Sequence, residues 1–149
     1  MDLTATDLYA LLHAGNPGDI EFYQRVCAGC ESVLEIGSGW GRLLGPLTSC
    51  ADHITGVELN PAMQRAATNR ISQWPPERRD AVELVTADMR TLALERTFDR
   101  IIVPYCGLYC LKDDKEVVAT LRRLADHLTP DGLLVFDGYD IGDPAEIDG

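Results

Sequence analysis

Read only for hydrophobic and polar positions, the chain alternates short apolar runs with stretches of helical period. The apolar runs, each bounded by turn residues, fall at 32–36, 53–57, 81–86, 98–103 and 132–136. Runs this short and this continuous predict strands covered on both faces. Between them the period lengthens, predicting helices over 40–49, 61–73 and 114–128. The last places Val117, Val118, Leu121, Leu124 and Leu128 on one face. Asn60 before Pro61 sets a capping side chain ahead of a proline at the first helical position. Asp113 or Asp114 can cap the later helix, and Thr129-Pro130-Asp131-Gly132 predicts the turn that ends it. Two more helices, over 3–13 and 19–28 and joined by Gly15-Asn16-Pro17-Gly18, precede the first strand. Strands alternating with helices define βαβ units, hence an α/β fold with a parallel sheet.

Length and composition narrow this further. A chain of 149 residues suits one domain. It divides into a helical cap over 1–30, a core over 31–140 and a tail over 141–149. No apolar run approaches the roughly 18 residues that span a bilayer. The N-terminus lacks both the basic region and the continuous apolar stretch of a secretion signal, so a cytoplasmic location is expected. The net charge of −11, from 24 acidic and 13 basic residues, disfavours nucleic acid and anionic lipid as partners. A small molecule or a partner protein fits that surface better. The five cysteines are odd in number and predict reduced thiols. Cys27 and Cys30 form a lone CxxC without the further ligands that zinc needs, so no metal is expected.

The chemistry concentrates at the ends of the predicted strands. Val33-Leu34-Glu35-Ile36-Gly37-Ser38-Gly39-Trp40-Gly41-Arg42 is an apolar strand running into three alternate glycines and then a helix. Without Cβ atoms the bend can be tight, and a ligand can lie against bare backbone. A dinucleotide fingerprint reads G-x-G-x-x-G and holds a pyrophosphate. Here the spacing is G-x-G-x-G, and Glu35 just before it would repel phosphate while suiting a cationic amino-acid moiety. Glu58 ends the second strand, where a carboxylate accepts from ribose hydroxyls, and Leu59 beside it can cover an adenine face. Asp88 after the third strand can accept from an adenine amino group, with Met89 over the ring.

Gly37-Ser38-Gly39-Trp40-Gly41, Glu58-Leu59-Asn60-Pro61, Ala87-Asp88-Met89 and the run from Phe98 through Pro104-Tyr105 resemble successive motifs of class I S-adenosylmethionine-dependent methyltransferases. The run from Leu128 to Phe136 is similar to that family's approach to its fifth strand. The resemblance implies a Rossmann-like doubly wound sheet in the order 3-2-1-4-5, with helices on both faces. It implies S-adenosylmethionine as cofactor, S-adenosylhomocysteine as product, and binding across the carboxyl ends of strands 1, 2 and 4. Glu35, Gly37, Ser38, Gly39, Gly41, Glu58, Leu59, Asp88, Met89 and Pro104 would line that cleft. Tyr9 and Tyr23, with Asp19 and Phe22, resemble the N-terminal helices that close over the methionine end. Arg42 either pairs with the cofactor carboxylate or is a solvated first-turn arginine.

The sulfonium already activates the methyl group, so alignment and exclusion of water are the main demands. Tyr105 and Tyr109 follow strand 4, where the family places acceptor-facing residues, and they are the catalytic candidates. Cys106 and Cys110 read as loop packing, and His13, His53 and His127 as peripheral. Family members continue past strand 5 with two more strands, whereas this chain stops soon after it. Strand 5 is therefore expected to leave an open edge, covered by a partner chain or by self-association. The reading is a methyltransferase acting on a small-molecule acceptor. The alternative is an inactive subunit or fragment that binds the cofactor or its product and needs a partner chain.

Overall fold

A computed structural model describes residues 5–139. Its strands are β1 (Cys30–Ile36), β2 (Ala51–Glu58), β3 (Val82–Thr86), β4 (Phe98–Val103) and β5 (Leu128–Phe136). All neighbours pair in parallel, in the order β3-β2-β1-β4-β5 that the resemblance implied. The strand order, not the strand direction, reverses between β1 and β4, and such switch points open a crevice at the carboxyl ends of the strands. The helices are α1 (Ala5–Leu12), α2 (Asp19–Val26), α3 (Leu44–Leu47), α4 (Pro61–Ile71), α5 (Pro76–Arg79) and α6 (Asp114–Ala125). Residues 3–4 of the first expected helix, and the tail expected over 141–149, lie outside the described residues.

Strand alternation divides the core in two. Val33, Ile54 and Ile102 pack with Tyr23 of α2, with Cys27 just after it, and with Leu44 and Leu47 of α3. Leu34, Ile36, Val57, Ile101 and Val103 pack on the other face with Leu92, Leu108 and Leu124. Glu35 shares its face of β1 with Val33, so it points toward α2 and α3. Asn60 accepts from the Ala62 amide and Asp113 from the Glu116 amide, which settles the two expected caps.

Three expectations need correction. The helix expected over 40–49 shrinks to the single turn of α3, because Gly39, Gly41 and Gly45 favour bends and Pro46 has no amide to donate. The turn at 129–132 is instead part of β5, which begins at Leu128, while α6 stops at Ala125. Pairing jumps there from Phe98↔Leu128 to Arg100↔Leu133, so turn-forming residues are absorbed as an irregularity inside the strand. Gly132 allows it, since a Cβ would lie 2.9 Å from the Phe98 carbonyl oxygen. Finally, His127 is buried rather than peripheral. Its Nδ1–H donates to Arg123 O at 2.8 Å and its Nε2 accepts from the Leu94 amide at 3.0 Å, tying the end of α6 to the loop before β4.

Candidate functional site

The glycine-rich bend leaves β1 at the switch point. Gly37, Gly39 and Gly41 have φ of 71°, 56° and 81°, left-handed values that side chains rarely tolerate. A Cβ on Gly37 would meet nothing within 4 Å, and one on Gly39 only the Gly37 carbonyl at 3.9 Å. These two therefore present bare backbone to open space. Gly41 is glycine for another reason: its Cβ would press on Leu44 and Ala67 at 3.3 and 3.4 Å. Ser38 is buried against Gly56 and its hydroxyl has no partner.

The amides of the bend limit what it can hold. Gly37 N and Ser38 N both donate to Val57 O, at 2.8 and 3.0 Å, and Gly41 N donates to Ser38 O. Gly39 N donates to Glu58 Oε2 at 2.9 Å. All four amides are taken, so they offer no row of free donors for a diphosphate. Glu58 is held a second time, because Oε1 accepts from Asn60 N at 2.7 Å.

Glu35 lies near the end of β1, two residues before this bend, fully buried, and its Oε2 has no hydrogen-bond partner. Burial pushes its carboxyl up to about 8; Arg42 works against that shift and Glu58 adds to it. A buried carboxylate with a free oxygen is a costly arrangement that a cationic donor would relieve.

Asp88 follows β3 and is clasped by Arg90, whose side chain and amide both donate to it. That clasp holds its carboxyl below the usual range. Met89 is half-buried against the Leu34 cluster, while Leu59 is 57% exposed beside Glu58.

The far wall of the crevice combines the N-terminal helices with the loop after β4. Arg42 is neither free nor solvated: it makes a two-pronged contact with Asp19 at 3.0 and 2.6 Å, nearly buried on both sides. Tyr9 stacks on His13 at 4.0 Å, and His13 meets the edge of Tyr105 at 6.0 Å, so His13 belongs to this wall. Burial, with Tyr105, Cys110 and Glu58 nearby, raises the Tyr9 phenol above its usual value. Pro104 is buried at the end of β4. Tyr105 and Cys106 then adopt φ of 56° and 57°, although neither is glycine. Left-handed backbone costs such residues roughly 1–2 kcal/mol each, so something must hold them. That group is Asp137, just past β5, which accepts from the amides of Tyr105 and Cys106 and from the Tyr23 hydroxyl. Tyr23 is thus buried as a support for this loop. Tyr109 is exposed, stacks on Tyr139 and accepts from its amide at 3.1 Å.

Reasoning from sequence missed Asp137 and misplaced His13. No local signal marks Asp137, whose partners lie 31, 32 and 114 positions away. His13 stands four residues from Tyr9, a helical spacing that places the two rings on one face.

A family model described as "Methyltransferase domain" matches residues 33–132, from β1 into β5. The chain belongs to that family. It is similar to a dTDP-3-amino-3,6-dideoxy-alpha-D-glucopyranose N,N-dimethyltransferase of Streptomyces fradiae, 29% identical over 141 residues, covering 89% of this chain and 52% of that protein. A sugar N-methyltransferase from a Streptoalloteichus species superposes with a TM-score of 0.75 at 27% identity, over 93% of this chain and 56% of that one. An amino pentose methyltransferase from Micromonospora echinaspora, solved with S-adenosylmethionine bound, gives 0.72 at 26% identity, over 93% and 58%. The chain spans about half the length of the curated relatives it matches.

Proposed function

We propose that the chain binds S-adenosylmethionine and is the cofactor-binding half of a methyltransferase acting on a small aminated acceptor, such as an amino sugar. One observation carries this reading: buried Glu35, two residues before the bare glycine bend, has an unsatisfied oxygen, and Glu58 is fixed to that bend at Gly39. The cofactor supplies an activated methyl on a sulfonium, and the residues here bind and orient it. Glu35 receives the ammonium of the methionine part. Glu58 has about four lone-pair sites, of which the two backbone amides use two. Two remain, the number that a ribose diol fills. Leu59 and Met89 lie beside the adenine, and Asp88 accepts from its amino group once Arg90 shares it. Tyr9, Tyr23, Asp19, Arg42, Pro104 and Tyr105 form the wall at the methionine end, with Tyr109 on the acceptor side.

The taken amides of the bend argue against a dinucleotide, and the relatives' aminated sugar substrates support the acceptor class. Calorimetry with S-adenosylhomocysteine, followed by competition with NADH, tests the binding. Saturable binding that NADH does not displace is expected; no binding, or displacement by NADH, overturns it. A methyl-transfer assay on amino sugars then tests the acceptor class; a methylated amine is expected, and none overturns it.

A further inference from the structure

The loop after β4 has a feature the cofactor reading does not use. Two consecutive residues with side chains, Tyr105 and Cys106, stand in left-handed backbone, where glycine would be at ease. One carboxylate takes both of their amides, Tyr105 N at 2.7 Å and Cys106 N more closely still. The same carboxylate accepts from the buried hydroxyl of Tyr23 at 3.0 Å. Asp137 thus joins three elements at one point: the end of β5, the loop after β4, and α2. The ring that this backbone carries lies among groups of the cleft. Tyr105 stands 6.0 Å from the Arg42 guanidinium, which itself pairs with Asp19, and its ring meets the edge of His13. A turn at 105–106 in ordinary right-handed or extended backbone would aim the Tyr105 ring elsewhere.

We propose that Asp137 is a positioning residue whose carboxylate holds residues 105–106 in left-handed backbone, so that Tyr105 closes the wall at the methionine end of the cofactor cleft. This rests on the cofactor reading above. Asp137 touches no ligand in this role; it acts through the turn.

The test combines binding with backbone protection. Wild type, Asp137→Asn, Cys106→Gly and the double variant are titrated with S-adenosylhomocysteine at a temperature where all are folded. Asp137→Asn, which sets an amide where two N–H donors point, should weaken binding about tenfold, equivalent to ~1.4 kcal/mol. Glycine adopts the left-handed region freely, so in the Cys106→Gly background the same substitution should cost about threefold or less. A merely stabilising Asp137 would lower the melting temperature and leave these affinities alone. Hydrogen exchange at the amides of residues 105 and 106 should accelerate in Asp137→Asn, and this readout needs no ligand. Affinity unchanged by Asp137→Asn, or a loss undiminished by Cys106→Gly, overturns the positioning role. Wild type that fails to bind overturns the cofactor reading and the role together, and the exchange data then report separately on the anchor.

Discussion

Glu35 lies on the inner face of β1, and nothing in the described chain satisfies its Oε2. Its carboxyl holds a proton up to a pH of about 8, against an ordinary value of 4.5, chiefly because burial removes water. The unfolded chain therefore ionises this group while the folded chain still protonates it. Folding then takes up a proton between those two values, and stability falls as pH rises from 4.5 to about 8, levelling off above. A cofactor ammonium acts in the opposite direction by favouring the carboxylate. Binding of S-adenosylhomocysteine should expel a proton below about pH 8 and weaken as the pH drops toward about 6. Glu35→Gln should bind more weakly and lose most of that dependence. Equal pH profiles for the two proteins, measured by calorimetry in buffers of different ionisation enthalpy, would remove Glu35 from the site.

Between β1 and α3 the bend works as a unit, because the amides of residues 37, 38, 39 and 41 are spent within the protein and its two bare residues face outward. Gly39→Val adds a branched side chain at φ 56°, in the space assigned to the ligand. It should abolish detectable S-adenosylhomocysteine binding, whereas Gly18→Ala, also left-handed but outside the bend, should cost only stability. A Gly39→Val protein that binds normally would move the ligand elsewhere. The strands were legible because a buried parallel strand needs a continuous apolar run, and β4 matches its expected bounds residue for residue, whereas their order came from the family resemblance alone. Glu35 and Glu58 were legible for a related reason, since each breaks or ends such a run. The short α3 and the early start of β5 were not. Glycines and prolines mark departures from regular backbone without saying whether the chain turns or bulges, and pairing with β4 decided that at Gly132. Asp137 was invisible for want of neighbours in sequence.

At the scale of the whole molecule, the helical layers cover the middle of the sheet better than its β5 side. Leu133 and Phe136, on opposite faces of β5, are 57% and 50% exposed, and no described strand pairs with its outer edge. An exposed apolar edge recruits another strand. The chain alone should self-associate in light scattering as concentration rises, despite a net charge of −11. Leu133→Lys should shift it toward monomer; a wild-type chain that is monomeric at all concentrations would show the edge to be protected. The pin at Asp137 has its own consequence for a chain made from its N-terminus. The glycine bend and both glutamates have emerged by residue 58, and the loop by residue 106, yet the carboxylate that fixes that loop to Tyr23 arrives 114 positions after the tyrosine. On the proposed reading, a nascent chain carries a nearly finished nucleoside seat with one wall loose, and arrival of Asp137, just past β5, is the event that shuts it.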